Sequence, residues 1–420
     1  MRSYNMGIAG CGPCGMATAI LLQRAGHAVT LFERFEHPAP IGSGLMIQPT
    51  GLAVLDRLGL ANRIIDRGAR IDRLHGMAGP RVVLDVHYSA LRGGDRFGIG
   101  IHRAELFAAL HDLVVGESIP VRTGHTVEGS ALHGERRALR FANGSESEAF
   151  DLVVDALGTR SKLAPDGGIT LKYGALWATL AWPGGDFDRH ALSQRYKRSS
   201  EMAGVLPVGR DSSGREQAAF FWSLRRDRLD EWRQRGLAAW KHDVLGLWPA
   251  CSPLIDQIVD TEQLTFATYS HRTLSPSFQP ALIHIGDAWH SASPQLGQGA
   301  NMALLDAWAL SRALGQEERV PAAVHAAVAS RRRHVRLYQG LTWLFTPVYQ
   351  SDSHVLPFIR DRLVGPLSKF WPATAIQAAM VSGLIGSSLR ALGLAEDLKE
   401  QVTPSAAGPP SPLSKPAPWA

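Results

Sequence analysis

Four groups of residues in this 420-residue chain have the types and spacing that chemistry needs. The first is Gly10-Cys11-Gly12-Pro13-Cys14-Gly15, a GxGxxG run between a short apolar segment, 6–9, and a helical pattern over 16–24. A second apolar segment, 28–32, follows and ends on Glu33-Arg34. The second group is the apolar run 151–156, which breaks at Leu157-Gly158-Thr159. The third runs from Gly286-Asp287-Ala288-Trp289-His290 through Pro294-Gln295-Leu296-Gly297-Gln298-Gly299-Ala300-Asn301. The fourth is Ile101-His102-Arg103, directly ahead of a helical pattern over 104–115.

A GxGxxG alone is a weak signal in a chain with 42 glycines, but this one sits between a strand and a helix, the context that gives it meaning. Gly10 lets the chain turn sharply off the strand, and Gly12 leaves space where a pyrophosphate must approach backbone. Gly15 and Ala19 let the helix pack close to the sheet. Pro13 suits the first helical turn, which needs no N–H from it. The helix N-terminus then offers free N–H groups and a partial positive charge to phosphate. Glu33, at the tip of the second strand, is placed to accept from both hydroxyls of a ribose, which suits the adenosine of FAD or NAD and repels a 2′-phosphate.

Cys11-Gly12-Pro13-Cys14 also has the C-x-x-C spacing of a dithiol redox turn. That reading is rejected. The cysteines fill the variable sites of a phosphate loop, a pyrophosphate would disfavour thiolates beside it, and a disulfide would distort the turn. Cys251 has no evident partner, and no metal site is read from the sequence.

The elements that must position these groups follow from periodicity. Short strands are expected at 45–47, 121–123 and 138–141, a helix at 50–58, and buried parallel strands at 151–156 and 281–285. From 174 to about 266 short β-like runs (175–181, 202–207, 217–224) alternate with polar turns around one helical piece, 229–248. A helix is expected over 301–314, and the chain beyond 322 reads as mostly helical. The expected organisation is α/β. A discontinuous Rossmann-like nucleotide-binding domain (1–75, 98–173, 267–330) carries an inserted antiparallel β-sheet substrate domain (76–97, 174–266). A C-terminal helical region (331–402) and a Pro/Ser/Ala-rich tail (403–420), expected to be disordered, complete it.

Hydrophobic content of 45% and charged content of 20% are ordinary for a globular protein. The net charge of +6 comes from arginine, since only seven of the 44 basic residues are lysine. No coherent basic face or reader motif accompanies it, so no nucleic-acid role is expected. No window approaches 18 uninterrupted apolar residues. With three cysteines and no room for a signal peptide before the first strand, a cytoplasmic location is expected.

Taken in order, the glycine loop to Glu33, the turn 151–161 and the run 286–301 resemble the single-component FAD-dependent monooxygenases, the para-hydroxybenzoate hydroxylase-like class. The resemblance covers residues 1 to about 315 and implies a glutathione-reductase-type FAD-binding fold. It implies FAD as cofactor and NAD(P)H as reductant. The implied reaction is hydroxylation of a small aromatic or other electron-rich molecule through a flavin C4a-hydroperoxide. Residue by residue, it assigns Gly10, Gly12, Pro13, Cys14, Gly15, Glu33 and Arg34 to the adenosine and pyrophosphate side of FAD. Asp287 and Arg103 fall to the ribityl-pyrophosphate region, and Gly44 and Leu45 to the ring edge. Pro294, Gly297, Gly299, Ala300 and Asn301 fall to the loop and helix start against the flavin ring, and Gly158, in the second motif, is a further cofactor-binding residue.

One departure stands out. The family pattern at the second motif places an acid before the last glycine, and here Leu157 holds that position before Gly158, with Asp155 two residues earlier. Because that motif is linked to NAD(P)H as well as FAD, the departure leaves an FAD-dependent reductase or dehydrogenase acting on a lipophilic or unsaturated substrate as the alternative. No catalytic acid or base is assigned: His290 reads as packed under the FAD loop, and Trp289 as a bulky group near the flavin. Trp177, Phe220, Phe221 and Trp222 are candidate walls of the substrate site. The C-terminal helices are read as packing on the FAD domain, with a weak contact to a membrane surface as a further expectation.

Overall fold

The computed structural model describes residues 2–39, 42–92, 94–165, 167–364, 370–386 and 388–395, and the tail expected to be disordered lies outside them. Its first sheet grows outward from the strand Asn5–Ala9, fully buried after its first residue. Ala28–Phe32 lies on one side and Leu152–Asp155 on the other, both parallel to it. Val121–Arg122 and Leu282–His284 extend the parallel array, and Phe278–Gln279 closes one edge antiparallel. The helices Pro13–Arg24, Arg103–Gly116 and Gly299–Gln316 share one apolar core with this sheet, in which Met16, Ile20, Leu110 and Leu305 are fully buried. The turns that follow the parallel strands all open on the same edge, where such folds bind ligands.

The second sheet has seven strands in the order Thr265–Ala267, Tyr173–Ala181, Glu216–Arg225, Glu201–Arg210, Ala191–Lys197, Arg73–Ala78, Arg81–His87. Every pairing is antiparallel except one: Ala191–Lys197 runs parallel to Arg73–Ala78 and ties that hairpin to the rest. This strand was not anticipated, because its Ser193-Gln194-Arg195 centre carries too little apolar alternation to register. The outer face of the sheet, including Leu176, Phe220 and Trp222, packs under the helix Leu229–Leu247. That helix is broken at Gly236, which adopts a φ of 78°. The inner face carries Trp177, Leu206, Val208, Ala219 and Phe221.

Between the two sheets lies a three-stranded piece, Gly44–Ile47, Gly98–His102 and Ala69–Ile71. It touches the inner face so closely that a Cβ on Gly44 would fall 2.5 Å from Val208 Cγ1, and one on Gly100 2.0 Å from the Pro207 carbonyl oxygen. The 30-residue helix Val320–Tyr349 then spans both bodies. Val335 and Tyr338 on it pack against Trp289, Leu296 and Met302. Shorter helices, Val355–Ile359 and Ala373–Val381 among them, complete the described chain. Among the described residues no helix is long and apolar enough to cross a membrane.

Candidate cofactor and substrate site

The glycine loop shows which of its glycines serve the fold and which leave space. Gly10 has φ +106°, and a Cβ there would sit 2.6 Å from the Ala156 carbonyl oxygen. A Cβ on Gly15 would meet the Gly10 carbonyl oxygen at 1.9 Å, so only glycine lets the helix start where it does. Gly12 is different: its φ of −80° and ψ of 177° suit any residue, and nothing lies within 4 Å of the position its Cβ would take. The space above Gly12 is therefore open, at the N-terminus of a 12-residue helix whose first residue is Pro13. Glu33 is half-buried beside it and accepts from the backbone N–H groups of Cys11 (3.1 Å) and Phe35 (3.1 Å). Arg34 is exposed, its guanidinium 4.4 Å from the centre of the Phe35 ring.

The neighbouring cysteines are inert. Burial, with Glu33 adding to it, pushes the Cys11 thiol up to about 12. Burial and then Asp306, Asp287 and Asp155 raise the Cys14 thiol as well, and its Sγ packs toward the Ala303 carbonyl at 3.7 Å. All three cysteines are free thiols.

Arg103 and Asp287 form the charged floor of the groove. Both are solvent-exposed by area, yet desolvation by surrounding protein is the leading influence on each. A groove floor open toward one side produces that combination. The two charges attract: Asp287 supports protonation of Arg103 against burial, while burial raises the Asp287 carboxyl and His290 and Arg103 pull it back down. Among the described residues neither side chain makes a hydrogen bond, so both retain their full capacity for a ligand. Gly42 leaves room for the arginine, since a Cβ there would lie 3.3 Å from Arg103 Nε. The Arg103 N–H donates to the Ser43 carbonyl at 3.1 Å, which fixes the start of the strand carrying Gly44 and half-buried Leu45.

Pro294–Leu296 forms one 3-10 turn, Gly297 follows in the left-handed region (φ 61°), and Gly299–Gln316 begins the next helix. Pro294 and Gly299 are exposed and Ala300 half-buried, while Gly299 stands near Asp287, Oδ1 being 3.8 Å from where its Cβ would be. Asn301 is fully buried and faces inward. It accepts from the Gln48 N–H (2.8 Å) and donates to the carbonyls of Met46 (3.1 Å) and Gly297 (2.9 Å). The Asn301 side chain thus holds the turn in place, and what it offers a ligand is the backbone it fixes.

Gln48 is a residue that sequence reasoning passed over. It is 1% exposed, its Oε1 accepts from the Tyr88 hydroxyl (2.6 Å), and its Nε2 has no partner among the described residues. That Nε2 lies 3.8 Å from where a Cβ on Gly297 would be, a buried donor waiting beside the turn. The open cradle at Gly12, the unspent Arg103–Asp287 pair and this donor are a fitting set for a long, anionic, hydrogen-bonding cofactor such as FAD.

Two buried carboxylates lie behind the groove. Asp155 has no exposed surface; it accepts from the Leu157 N–H (3.1 Å), the Ser161 hydroxyl (2.6 Å) and His284 Nδ1 (2.6 Å). It therefore cannot stand in for the acid that Leu157 replaces. Gly158 adopts φ +78° with open space around its Cβ position. Asp306 accepts from the Gly286 N–H (3.0 Å), His290 Nε2 (2.5 Å) and Arg331 Nε (2.7 Å). Burial opposes its charge, but His290 and Arg331 outweigh burial and hold the carboxyl at about 2. His290 is buried as expected, while Trp289 departs from expectation. Its indole points into the core against the long helix, donating to the Leu274 carbonyl at 3.2 Å.

The aromatic wall is half of what the sequence suggested. Phe220 and Trp222 alternate with Phe221 along one strand and turn to the outer face, under the helix Leu229–Leu247. Trp177 and Phe221 remain on the inner face, ring centroids 4.7 Å apart. Trp177 Nε1 donates to the Tyr269 hydroxyl (3.0 Å), whose own proton is left free to donate. Burial pushes that phenol up to about 12, against the pull of Trp177 and Arg103. A cavity of about 290 Å³ lined by Arg73, His75, Ser193, Arg195 and Trp248 lies on the opposite face of this sheet and takes no part in the groove.

The comparisons with known proteins agree with this geometry. Residues 3–337 match the model of the FAD binding domain family, and the chain belongs to that family, with FAD as its cofactor. It is similar to 2-heptyl-3-hydroxy-4(1H)-quinolone synthase of Pseudomonas aeruginosa, 26% identical over 375 residues that cover 85% of this chain and 92% of that protein. It is also similar to 6-hydroxynicotinate 3-monooxygenase of Pseudomonas fluorescens, 24% identical over 373 residues, 82% of this chain and 93% of that one. Among solved structures, the tetrameric form of 2-methyl-3-hydroxypyridine-5-carboxylic acid oxygenase superposes with a TM-score of 0.74 at 18% identity, covering 90% and 96% of the two chains. HpxO of Klebsiella pneumoniae, solved with FAD and uric acid, gives 0.74 at 19% identity, covering 90% and 97%. These likenesses place the fold in the expected FAD-binding class.

Proposed function

We propose that this protein is an FAD-dependent monooxygenase that hydroxylates a small aromatic or other electron-rich molecule, with NAD(P)H as reductant and dioxygen as oxidant. The observation that carries the reading is the groove itself. A charged, unspent floor (Arg103, Asp287) meets an open glycine cradle on one side and the aromatic inner face (Trp177, Phe221) on the other. When bound, FAD supplies the electron transfer that no side chain here can perform.

The protein's part is placement. Gly12 and the helix behind it take the pyrophosphate, Glu33 the adenosine ribose, and Arg103 with Asp287 the polar middle of the cofactor. The turn Gly297–Asn301, ahead of an 18-residue helix, offers backbone N–H groups to the ring. Trp177 and Phe221 exclude water from the far side, and Tyr269 sets a hydroxyl donor beside them to orient a polar substituent. The relatives named above are a quinolone synthase and a hydroxynicotinate monooxygenase, which supports a planar heteroaromatic substrate.

The domain division proposed with this function is the one read from the sequence: FAD-binding segments 1–75, 98–173 and 267–330, substrate segments 76–97 and 174–266, and a helical region from 331. A cytoplasmic location and a membrane-surface contact belong to the same proposal. Trp343, Leu344, Phe358, Phe370 and Trp371 are each more than half exposed. Arg332 and Arg336 are exposed on the same long helix as Trp343, at spacings that share its face. Apolar side chains beside exposed arginines suit an anionic lipid surface. Co-sedimentation with anionic vesicles, lost in Trp343→Asp, is the check.

The functional test is direct. The purified protein should carry FAD or take it up, oxidise NADH or NADPH faster with substrate present, and give a product one oxygen heavier, labelled from isotopic dioxygen. A chain that cannot be loaded with FAD would refute the whole reading. The buried Asp155 and the missing acid at Leu157 favour one second reading, a reductase. It predicts FAD that NAD(P)H reduces very slowly and a product that gains hydrogen without oxygen.

A further inference from the structure

We propose that the backbone segment 380–383 is a strap that fixes the seat of the Gly297–Asn301 turn, with Gln298 and His334 as its positioning residues. The proposal rests on the reading that this turn faces the FAD ring.

Four consecutive carbonyls of the segment are held by side chains from three different elements. The Tyr338 hydroxyl donates to Met380 O at 2.9 Å, and Gln298 Nε2 donates to Val381 O. The Thr50 hydroxyl donates to Ser382 O at 3.4 Å, and His334 Nε2 donates to Gly383 O at 3.1 Å. Tyr338 and His334 come from the long helix, Thr50 from the helix Pro49–Arg57, and Gln298 from the turn itself. Val381 and, three residues earlier, Ala378 join the core between the sheets, beside Met46, Leu206 and Ala219, while Met380 packs against the cluster of Trp289, Val335 and Tyr338. These bonds tie the last residues of the helix Ala373–Val381 and the turn after it to the long helix, to Pro49–Arg57 and to the Gly297–Asn301 turn at once.

The strap is shaped to its neighbours. Gly383 has φ +80°, and a Cβ there would lie 2.5 Å from Thr50 Oγ1 and 3.0 Å from Gln298 Oε1. Gln298 is 5% exposed, and among the described residues its Oε1 has no partner, so its amide is held there by one bond, to Val381. On the other flank of the turn, Asn301 is held by three bonds. Removing the strap would leave Gly297 and Gln298 tethered from one side only.

A second line of hydrogen bonds runs from the strap to the floor. His334 Nδ1 accepts from Arg331 Nη1 (2.8 Å), which leaves Nε2 as the protonated nitrogen that donates to Gly383. Arg331 donates to Asp306, and Asp306 accepts from the Gly286 N–H next to Asp287. Burial and Arg331 drive His334 down to about 3, so this neutral tautomer persists across the working pH range. The strap thereby registers both the ring turn and the turn carrying Asp287 against the long helix.

The experiment is hydrogen–deuterium exchange of the full-length apoprotein, read at peptides spanning 294–301 and 380–384, with iodide quenching of bound flavin as the loaded-state readout. In His334→Leu and in Gln298→Leu, exchange at 294–301 should rise about fivefold for the loss of one net hydrogen bond. His334→Gln, which keeps a donor near the Nε2 position, should restore wild-type exchange. Tyr338→Phe removes one hydroxyl without changing the packing and serves if His334→Leu does not fold. A lowered melting temperature with unchanged exchange at 294–301 would overturn the proposal, because the strap would then be ordinary packing. Failure of the wild-type protein to bind FAD would refute the cofactor reading separately, through the quenching arm alone.

Discussion

Two substitutions in one loop separate a glycine kept for the ligand from one kept for the fold. In Gly12→Ala the new methyl enters open space on a backbone that any residue adopts. Losing glycine's freedom in the unfolded chain stabilises by about 0.4–1 kcal/mol. Alanine is a poorer N-cap than glycine by a similar amount. The two offset, and the apoprotein's melting temperature should stay within a degree or two of wild type. In Gly15→Ala the methyl meets the Gly10 carbonyl oxygen at 1.9 Å, a backbone atom that cannot swing aside. Overpacking of this kind costs about 1–3 kcal/mol, several degrees of melting temperature. FAD affinity should reverse the comparison for its cause. Gly12→Ala should weaken binding at least about tenfold, or ~1.4 kcal/mol, because its methyl occupies the pyrophosphate's place. The assays are thermal melting of the apoprotein and titration with FAD followed by flavin fluorescence. If Gly12→Ala binds FAD as tightly as wild type, the space above Gly12 is not the pyrophosphate seat and the reasoning fails.

Other consequences follow from the same geometry. Asp287→Ala should weaken FAD binding about tenfold with little change in apoprotein stability, since no described side chain hydrogen-bonds to that carboxylate; unchanged affinity in the same titration would misplace the third motif. Acid should destabilise the protein in two steps of one sign. His334 is held at about 3 by burial and Arg331, below its unfolded value near 6.5, so stability falls as pH drops from about 6.5 toward 3. Asp306, held at about 2, contributes stability that is present above about 4 and is lost as pH falls through about 2. Melting temperatures measured from pH 7 to 4 should fall less steeply in His334→Gln than in wild type. Native Cys11, with its thiol near 12, should resist alkylation at pH 8 while the unfolded chain reacts rapidly, as mass spectrometry of labelled peptides would show.

Much of this was legible in the chain because it is local. The strand, glycine turn, helix and acid from Asn5 to Glu33 lie within thirty residues, and each step has its own residue preference. The buried parallel strands read as apolar runs, and Leu152–Asp155 and Leu282–His284 lie inside the expected ones. What stayed hidden depends on partners remote in sequence. Phe220 and Phe221 are indistinguishable by type, and only the pairing of Glu216–Arg225 with Tyr173–Ala181 decides which faces the groove. The strand Ala191–Lys197 is defined by two neighbours rather than by its own pattern. Arg331 looked like one of three surface arginines in a row, yet it is 1% exposed because Asp306, 25 residues away, awaits it. A buried charge is recognisable from sequence only when its partner is known.

The four acids at the carboxyl edge of the first sheet divide by what their oxygens already hold. Asp155 and Asp306 are buried, and each accepts three hydrogen bonds from the turns around it. The strands bearing Asp155 and His284 are parallel neighbours in direct register, so one carboxylate joins two turns of the sheet edge. Asp306 does the same for Gly286 and the long helix. Such satisfied carboxylates stiffen the rim and cannot be spent on a ligand. Glu33 holds two backbone N–H groups of its own loop from a half-buried position. Asp287 alone combines exposure, crowding and the absence of any described hydrogen-bond partner, and it faces the equally unspent Arg103. A fold that buries and saturates two acids while leaving a third unsatisfied beside a free arginine has reserved that pair for something outside the chain. The open cradle above Gly12 gives the direction in which that something extends.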